Sequence, residues 1–141
     1  MRWDAVLALE GMPGDRATEL LVQALQDPDY VSIRWRAAIA LGRRQDPRAV
    51  EPLLRVLESS DHFSVREEAA EALGSIGDER AVPALIRALE DRDRGVRLRA
   101  LQALVEIGAK EPLRQALKGS KAEGEVEEAL RRIGGREKRR E

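Results

Sequence analysis

A repeat of about 32 residues runs through the sequence and limits the folds that the chain can adopt. Leu9, Leu41 and Leu73 recur at one constant interval, and Leu104 follows one position short of it. The same interval relates three further sets: Ala17, Ala49 and Ala81; Leu25, Leu57 and Leu89; and Asp29, Asp61 and Asp93. Because several residue classes share one period, we expect similar structural units stacked in a row.

The clearest unit runs from Asp46 to Gly77 and reads DPRAVEPLLRVLESSDHFSVREEAAEALGSIG. Its first half predicts a helix with Asp46 as the N-cap, Pro47 at the first position and an apolar stripe at helical spacing. Pro52 removes a backbone donor from that helix, so we expect a bend or a loose first turn there. The second half predicts another helix that ends at a glycine.

Small residues recur on the second helix of each unit. Gly42 and Gly74 occupy the same position in neighbouring units, and alanines precede both on the same helix. Because glycine within a helix costs about 1 kcal/mol relative to alanine, its recurrence predicts that a neighbouring backbone comes close.

The whole chain is predicted to be all-α, with about nine helices in antiparallel pairs. We expect one solenoid domain over residues 1–135 and a frayed, charged tail over residues 136–141. The predicted parts are an N-terminal cap helix (1–14), three repeats (15–45, 46–77 and 78–108) and a degenerate C-terminal cap repeat (109–135). Atypical terminal units are typical of stacked repeats.

Composition excludes several classes of protein. There is no cysteine, so disulfides and thiol chemistry are excluded. The net charge of −1 provides no field that favours nucleic acid or an acidic membrane. No apolar run reaches the roughly 20 residues that span a bilayer, and the N-terminus does not read as a signal peptide. We therefore expect a cytoplasmic protein; the arginine and glutamate content is also typical of thermophiles.

The repeat pattern resembles a known family. Its consensus is D-x-R-A-V-x-P-L-I-x-A-L, followed by D…V-R-x-x-A-A-x-A-L-G-x-I-G, and DERAVPALIRALEDRD from Asp78 matches it best. It is similar to the HEAT-like repeats of the PBS-lyase type over residues 1–135. The resemblance implies a right-handed αα-superhelix whose second helices line a concave, partner-binding face. The family includes bilin lyases, iron-dependent hydroxylases and scaffolds without activity.

Catalytic chemistry is not predicted. A hydroxylase of this family would need paired histidine and glutamate ligands, whereas the chain has one histidine, His62, expected in an exposed loop. No phosphate-binding glycine loop is present, and we expect no serine to have a histidine base beside it. We therefore expect no enzyme activity, no catalytic residue, no metal site and no cofactor.

One aspartate and one arginine recur in each unit. The pairs are Asp29/Arg34, Asp61/Arg66 and Asp93/Arg97. Since they occur once per unit, we expect a structural ladder of charge-assisted hydrogen bonds between loops rather than a site.

The second-helix positions not needed for the core predict a partner-binding surface. Trp3 and Trp35 are one repeat interval apart, as are Leu7 and Ile39, so the four side chains are expected to form one apolar patch. Tryptophan, tyrosine and arginine often dominate interface energy. The predicted partner-binding residues are Trp3, Leu7, Tyr30, Val31, Trp35, Arg36, Ile39, Phe63, Glu67, Glu71, Leu98 and Arg99.

These patterns predict a non-enzymatic scaffold or adaptor that binds a protein or peptide in its concave groove, with Trp35 as the main anchor. Several alternatives stay open. The aromatic side chains pack only against one another or fasten the cap, or the patch forms a homodimer. The family resemblance allows an accessory subunit of a bilin-lyase-like system. A nucleic-acid binder using Trp35, Arg36 and Arg99 is disfavoured by the net charge. The regularity also fits an engineered repeat.

Overall fold

The computed structural model of the chain describes residues 2–119, 124, 127, 128 and 131. Residues 2–119 contain eight α-helices: α1 (Trp3–Glu10), α2 (Asp15–Ala24), α3 (Val31–Arg44), α4 (Val50–Ser59), α5 (Phe63–Ile76), α6 (Val82–Ala88), α7 (Arg94–Ile107) and α8 (Lys110–Leu117). No strand occurs in the described part of the chain, and the predicted all-α fold is confirmed. The predicted ninth helix falls mostly outside the described residues, and the tail 136–141 falls wholly outside them.

The helices form two layers. Each of α3, α5 and α7 packs on the first helix of its own unit, namely α2, α4 and α6. The second helices α1, α3, α5 and α7 also pack side by side along the stack, whereas the first helices touch one another much less. The chain is thus a superhelical solenoid whose tighter layer is made of second helices.

Two rows of leucines fill the space between the layers. The second helices supply Leu9, Leu41, Leu73 and Leu104, and the first helices supply Leu21, Leu53, Leu85 and Leu113. All eight side chains are buried, and burying one leucine stabilises a fold by about 1.5–3 kcal/mol. The sequence repeat is therefore the repeat of the core.

The recurring glycines mark the closest contacts between second helices. A Cβ atom on Gly42 would lie 2.9 Å from the Cα of Ala72, and one on Gly74 would lie 2.8 Å from the Cα of Ala103. Real Cβ atoms do not approach a backbone that closely, so these positions require glycine. The expected close approach of a neighbouring backbone is confirmed.

The first helix of the central unit starts with a short 3₁₀ turn. The Asp46 carboxylate accepts the Arg48 N–H at 3.0 Å, and Pro47–Ala49 form the turn before α4 begins at Val50. Pro52 therefore lies in the first turn of α4, where backbone N–H groups have no helical acceptor. The change from 3₁₀ to α geometry before Pro52 thus places the proline where its missing N–H costs no helical hydrogen bond. The turn Glu79–Ala81 before α6 repeats the arrangement.

The three arginines of the predicted ladder form hydrogen bonds with other partners than expected. Arg34, Arg66 and Arg97 each donate through Nη1 to a backbone carbonyl of the preceding loop, at 2.8, 2.8 and 2.7 Å. The acceptors are the carbonyl oxygens of Asp27, Ser60 and Asp91. Each arginine thus fixes the loop that leads into its own helix.

Only one of these three arginines forms an ion pair in the described part of the chain, so the predicted ladder between loops is wrong except for one bridge, which uses Asp91 instead of a predicted aspartate. Arg66 binds Asp91 of the next unit, with Nε and Nη2 at 3.0 and 3.2 Å from its two carboxylate oxygens. Asp93 instead caps α7 by accepting the Val96 N–H at 3.1 Å. A side chain–backbone bond and a cap replace the other expected pairs.

Candidate partner-binding face

The predicted apolar patch lies on the outer surface of α1 and α3. The rings of Trp3 and Trp35 stack with centroids 6.3 Å apart and planes 15° from parallel. Trp35 is half-buried, while Trp3 and Leu7 expose 38% and 42% of their surface. With the half-buried Ile39, these residues are called the tryptophan patch. The rings do pack against each other, as one alternative held, yet apolar surface stays open beside them.

Four other predicted apolar residues lie away from the tryptophan patch or at its edge. Tyr30 is the N-cap residue of α3 and is 62% exposed, and Val31 begins that helix. Phe63 begins α5, where its ring stacks on His62 at 5.0 Å. Leu98 on α7 is 47% exposed, but it is separated from α3 by the whole width of α5.

His62 lies in the loop before α5, as predicted, but it is half-buried and not exposed. Its Nδ1 accepts the Ser64 N–H at 3.2 Å and lies 2.7 Å from the Ser64 Oγ, so the expectation that no serine has a histidine beside it was wrong. The imidazole therefore caps the N-terminus of α5, a role that aspartate takes at Asp93.

Next to the tryptophan patch, a glutamate that the sequence did not single out holds two arginines. Glu10 at the end of α1 accepts from Arg36 at 2.8 Å and from Arg43 at 3.0 Å. Arg36, predicted to bind a partner, is only 12% exposed as a result. The only sequence signal for Glu10 was a departure from the repeat, because Gly42 and Gly74 occupy its position in the next two units.

On α5 and α7 the same face becomes acidic. Arg99 of α7 lies 3.3 Å from Glu67 and 3.5 Å from Glu71 of α5, so three predicted site residues come together. Partial burial, and then the nearby charge of Glu71, raise the pKa of Glu68 to about 7. Burial also raises the pKa of Glu106, again with the charge of Glu71 contributing. More negative charge is gathered here than Arg99 neutralises.

A cavity of about 450 Å³ between α3 and α5 joins the apolar and acidic parts of the face. Gly42 and Ala72 line it where the two helices approach, and Ile39 of the tryptophan patch lines it together with Glu68 and Glu71. Within the described residues, no group of three or more His, Cys, Asp or Glu side chains is arranged to hold a metal ion. Glu68 and Glu71 thus place two carboxyl groups beside apolar surface, and Arg43 lines the same cavity.

The position of α1, and with it Trp3, is fixed by Arg44 at the end of α3. Its Nη atoms donate to the carbonyl oxygens of Leu9 at 3.2 Å and of Gly14 at 3.0 Å, and also to that of Met12. The turn between α1 and α2 thus wraps around one guanidinium. Sequence reasoning missed this role, because the neighbouring units carry Met12 and Ile76 at the equivalent position.

Known proteins share this architecture. The family profile of HEAT repeats matches residues 1–74 and 51–133. A chain in the structure of the complex of CpcE and CpcF of phycocyanin lyase from Nostoc sp. PCC7120 is similar, with a TM-score of 0.64 and 34% identity. That likeness covers 77% of this chain but only 44% of the other, so this chain spans less than half of its relative.

The family of the chain follows from the helix pairs, the leucine rows and the profile match together. No curated protein matches the sequence. Among the described residues, no helix is both long and apolar enough to cross a membrane. Because the HEAT-repeat profile covers nearly the whole length over which the repeat is visible, the chain belongs to the HEAT-repeat family.

Proposed function

We propose that the chain is a non-enzymatic scaffold or adaptor that binds a segment of a partner protein on its second-helix face. The observation that carries the proposal is the tryptophan patch: two stacked indole rings with Leu7 exposed beside them. Indole rings bury a large apolar area and are enriched among the residues that dominate binding energy. Trp35 is the proposed anchor, because its ring stacks on Trp3 and it lies one helical turn from Ile39, which lines the cavity.

The charges along the face favour a partner segment that combines apolar and basic side chains. Beyond Ile39 the cavity presents Glu68 and Glu71, and an ammonium or guanidinium group placed there would stabilise their ionised forms. We therefore propose that apolar side chains cover the tryptophan patch while a lysine or arginine enters the cavity.

A nucleic-acid partner fits the face less well. Each of the arginines Arg36, Arg43 and Arg99 on this face is already bound to a glutamate. A phosphate backbone binds to a continuous basic stripe, whereas here it would compete with those glutamates and meet Glu68. A labelled DNA duplex should therefore show no salt-dependent binding to the chain.

An accessory role in chromophore attachment is the alternative, and the likeness to a chain of the phycocyanin lyase complex favours it. In that case the partner segment would belong to another subunit or to the protein that receives the chromophore. Mixing the chain with a bilin and an apo-phycobiliprotein tests this alternative. New visible absorbance that depends on the chain would support it.

A displayed peptide library tests the main proposal, because such a selection does not require an identified partner. The immobilised chain should enrich peptides in which apolar residues and a lysine or arginine lie close together. Trp35→Ala should weaken binding of those peptides by about 2 kcal/mol, roughly 30-fold. Leu98→Ala is the matched control: it removes an exposed apolar side chain from the equivalent repeat position on α7, and it should change binding little.

Three outcomes would contradict the proposal. They are a selection that returns acidic peptides, a Trp35→Ala variant that binds as well as the unchanged chain, and a Leu98→Ala variant that weakens binding equally. Concentration-dependent dimerisation in sedimentation, abolished by Trp35→Ala, would assign the tryptophan patch to a second copy of the chain instead.

A further inference from the structure

We propose that Arg34 forms a carboxylate-binding site in the cavity between the loops of the first and second repeats. The site would take an acidic side chain or a C-terminal carboxylate of a partner protein, or a small free carboxylate. It lies at the ends of the helices and not on the second-helix face, and it does not rest on the proposed function.

One repeat further along, the equivalent arginine already binds a carboxylate of the chain itself. Arg66 donates from Nη1 to the Ser60 carbonyl, and its Nε and Nη2 atoms hold both carboxylate oxygens of Asp91. Two parallel bonds between a guanidinium and a carboxylate are among the stronger polar contacts in proteins. This bridge joins the second repeat to the third.

Arg34 occupies the position of Arg66 one repeat earlier. No carboxylate corresponds to Asp91 there. The Nη1 of Arg34 likewise donates to a carbonyl of the preceding loop, that of Asp27, at 2.8 Å. The residue corresponding to Asp91, two positions after the recurring leucine of the first helix, is Ser59. In the described part of the chain, no carboxylate takes the Asp91 position on Arg34. The first repeat therefore has the arginine of the bridge, but the second repeat lacks its carboxylate.

An open space lies where the bridge would be. A cavity of about 610 Å³ separates the two loops and is lined by Arg34, Ser59 and Asp61, among others. The Ser59 hydroxyl donates to the Arg55 carbonyl of its own helix. Arg34 is half-buried, so its side chain is partly held in place before any ligand arrives, which reduces the entropy cost of binding.

The local charges permit an incoming carboxylate. Arg55 also lines the cavity and adds a second cation. Of the two acidic residues there, Asp27 accepts the N–H groups of Asp29 and Tyr30, each at 2.9 Å. The other, Asp61, is exposed, so water and salt screen its charge.

Arginine side-chain NMR tests the site. The ¹⁵N-labelled chain is titrated with sodium acetate and, separately, with a blocked tripeptide that carries one aspartate. The Nε–H signal of Arg34 should move saturably, and that of Arg66 should stay unchanged because Asp91 already occupies it. Saturation by acetate as readily as by the peptide would identify free carboxylates as sufficient, and saturation by the peptide alone would identify a protein-borne carboxylate.

The variant Ser59→Asp supplies the missing carboxylate from within. The Arg34 signal should then move towards the position of the Arg66 signal and stop responding to either probe. Arg34→Lys is a second variant: it keeps the charge but lacks the planar fork, and it should abolish the probe-induced shifts of the Ser59 and Ser60 amides. The proposal is overturned if Arg34 responds to neither probe, or responds equally after Ser59→Asp.

Discussion

Two glycines set the distance between the second helices. Because a Cβ atom on Gly42 would lie 2.9 Å from the backbone of Ala72, α3 and α5 cannot keep their separation if that atom is added. We predict that Gly42→Ala lowers the free energy of unfolding by about 1–3 kcal/mol through overpacking, as measured by urea denaturation. This predicted loss is the net change, after the gain of about 1 kcal/mol that alanine brings to a helix.

Gly11→Ala is the control for that change. Gly11 follows α1 with φ at −92°, and a Cβ atom there would meet nothing within 4 Å. This variant should unfold within about 0.5 kcal/mol of the unchanged chain. If Gly42→Ala proved equally harmless, the close packing of α3 on α5 would be wrong.

Glu68 gives the fold a dependence on pH near neutrality. The pKa of its carboxyl is raised from 4.5 to about 7 by burial and by Glu71. Between these values the folded chain holds a proton that the unfolded chain releases, so stability from this group falls as the pH rises through that window. After allowance for solvent screening, we predict that Glu68→Gln gains about 1 kcal/mol more stability at pH 8 than at pH 5.

Thermal unfolding of both proteins at the two pH values measures this difference, which corresponds to a shift of about 4 °C. The control is Glu90→Gln, which changes an exposed glutamate just after α6 and should leave the pH profile as it is in the unchanged chain. A gain for Glu68→Gln that is the same at pH 5 and pH 8 would show that Glu68 titrates as an ordinary exposed glutamate.

At the residue scale, the sequence predicted the contacts of residues that recur in each unit. It missed the contacts of residues that differ between units. The spacing of Trp3 and Trp35 by one repeat interval predicted neighbouring rings, and they stack. Glu10 and His62 sit at positions that hold other residue types in the neighbouring units. Periodicity therefore carried no information about the ion pairs of Glu10 or the cap formed by His62.

At the scale of elements, an ion pair between two loops adds to the stability that the packing of helices provides. Arg66 is 4% exposed, and Asp91 is its carboxylate partner. Removing one member of a buried ion pair leaves the other charge without compensation. We predict that Asp91→Ala lowers the free energy of unfolding by about 3 kcal/mol in chemical denaturation.

The matched change is Asp61→Ala, which removes an exposed aspartate from the preceding loop. Its expected effect is within about 0.5 kcal/mol. Equal losses for the two variants would mean that the bridge does not hold the second and third repeats together.

Helix boundaries were predicted less well than helix existence, for a local reason. Proline and a capping aspartate at the start of a unit are compatible with either an α-turn or a 3₁₀ turn. The structure adopts the 3₁₀ turn Pro47–Ala49, which places Pro52 in the first turn of α4.

At the scale of the whole molecule, stability is shared between neighbours. In a stack of repeats each unit contacts only the next, so α5 is supported by both α3 and α7, whereas α1 has a second helix on one side only. We predict that amide hydrogen exchange is slowest in α5 and faster in α1. Mass spectrometry of peptic fragments measures the order, and faster exchange in α5 than in α1 would contradict a linear stack.

The architecture was the most predictable part, because one period determines the helix pairs, the leucine rows and the small residues between helices together. What a partner looks like was the least predictable part. It depends on side chains such as Glu68, whose properties arise only when α3 and α5 enclose a cavity. Sequence spacing placed that residue on the correct helix but could not predict its burial.

The central claim is that the tryptophan patch is where a partner segment binds, and the chain carries its own reporter. Its only two tryptophans, Trp3 and Trp35, both belong to that patch. Titration with a selected apolar–basic peptide, followed by tryptophan fluorescence with acrylamide as quencher, is the most direct test. We predict a blue-shifted emission and reduced quenching that saturate with the peptide. Binding seen by calorimetry with unchanged tryptophan emission and quenching would contradict the claim.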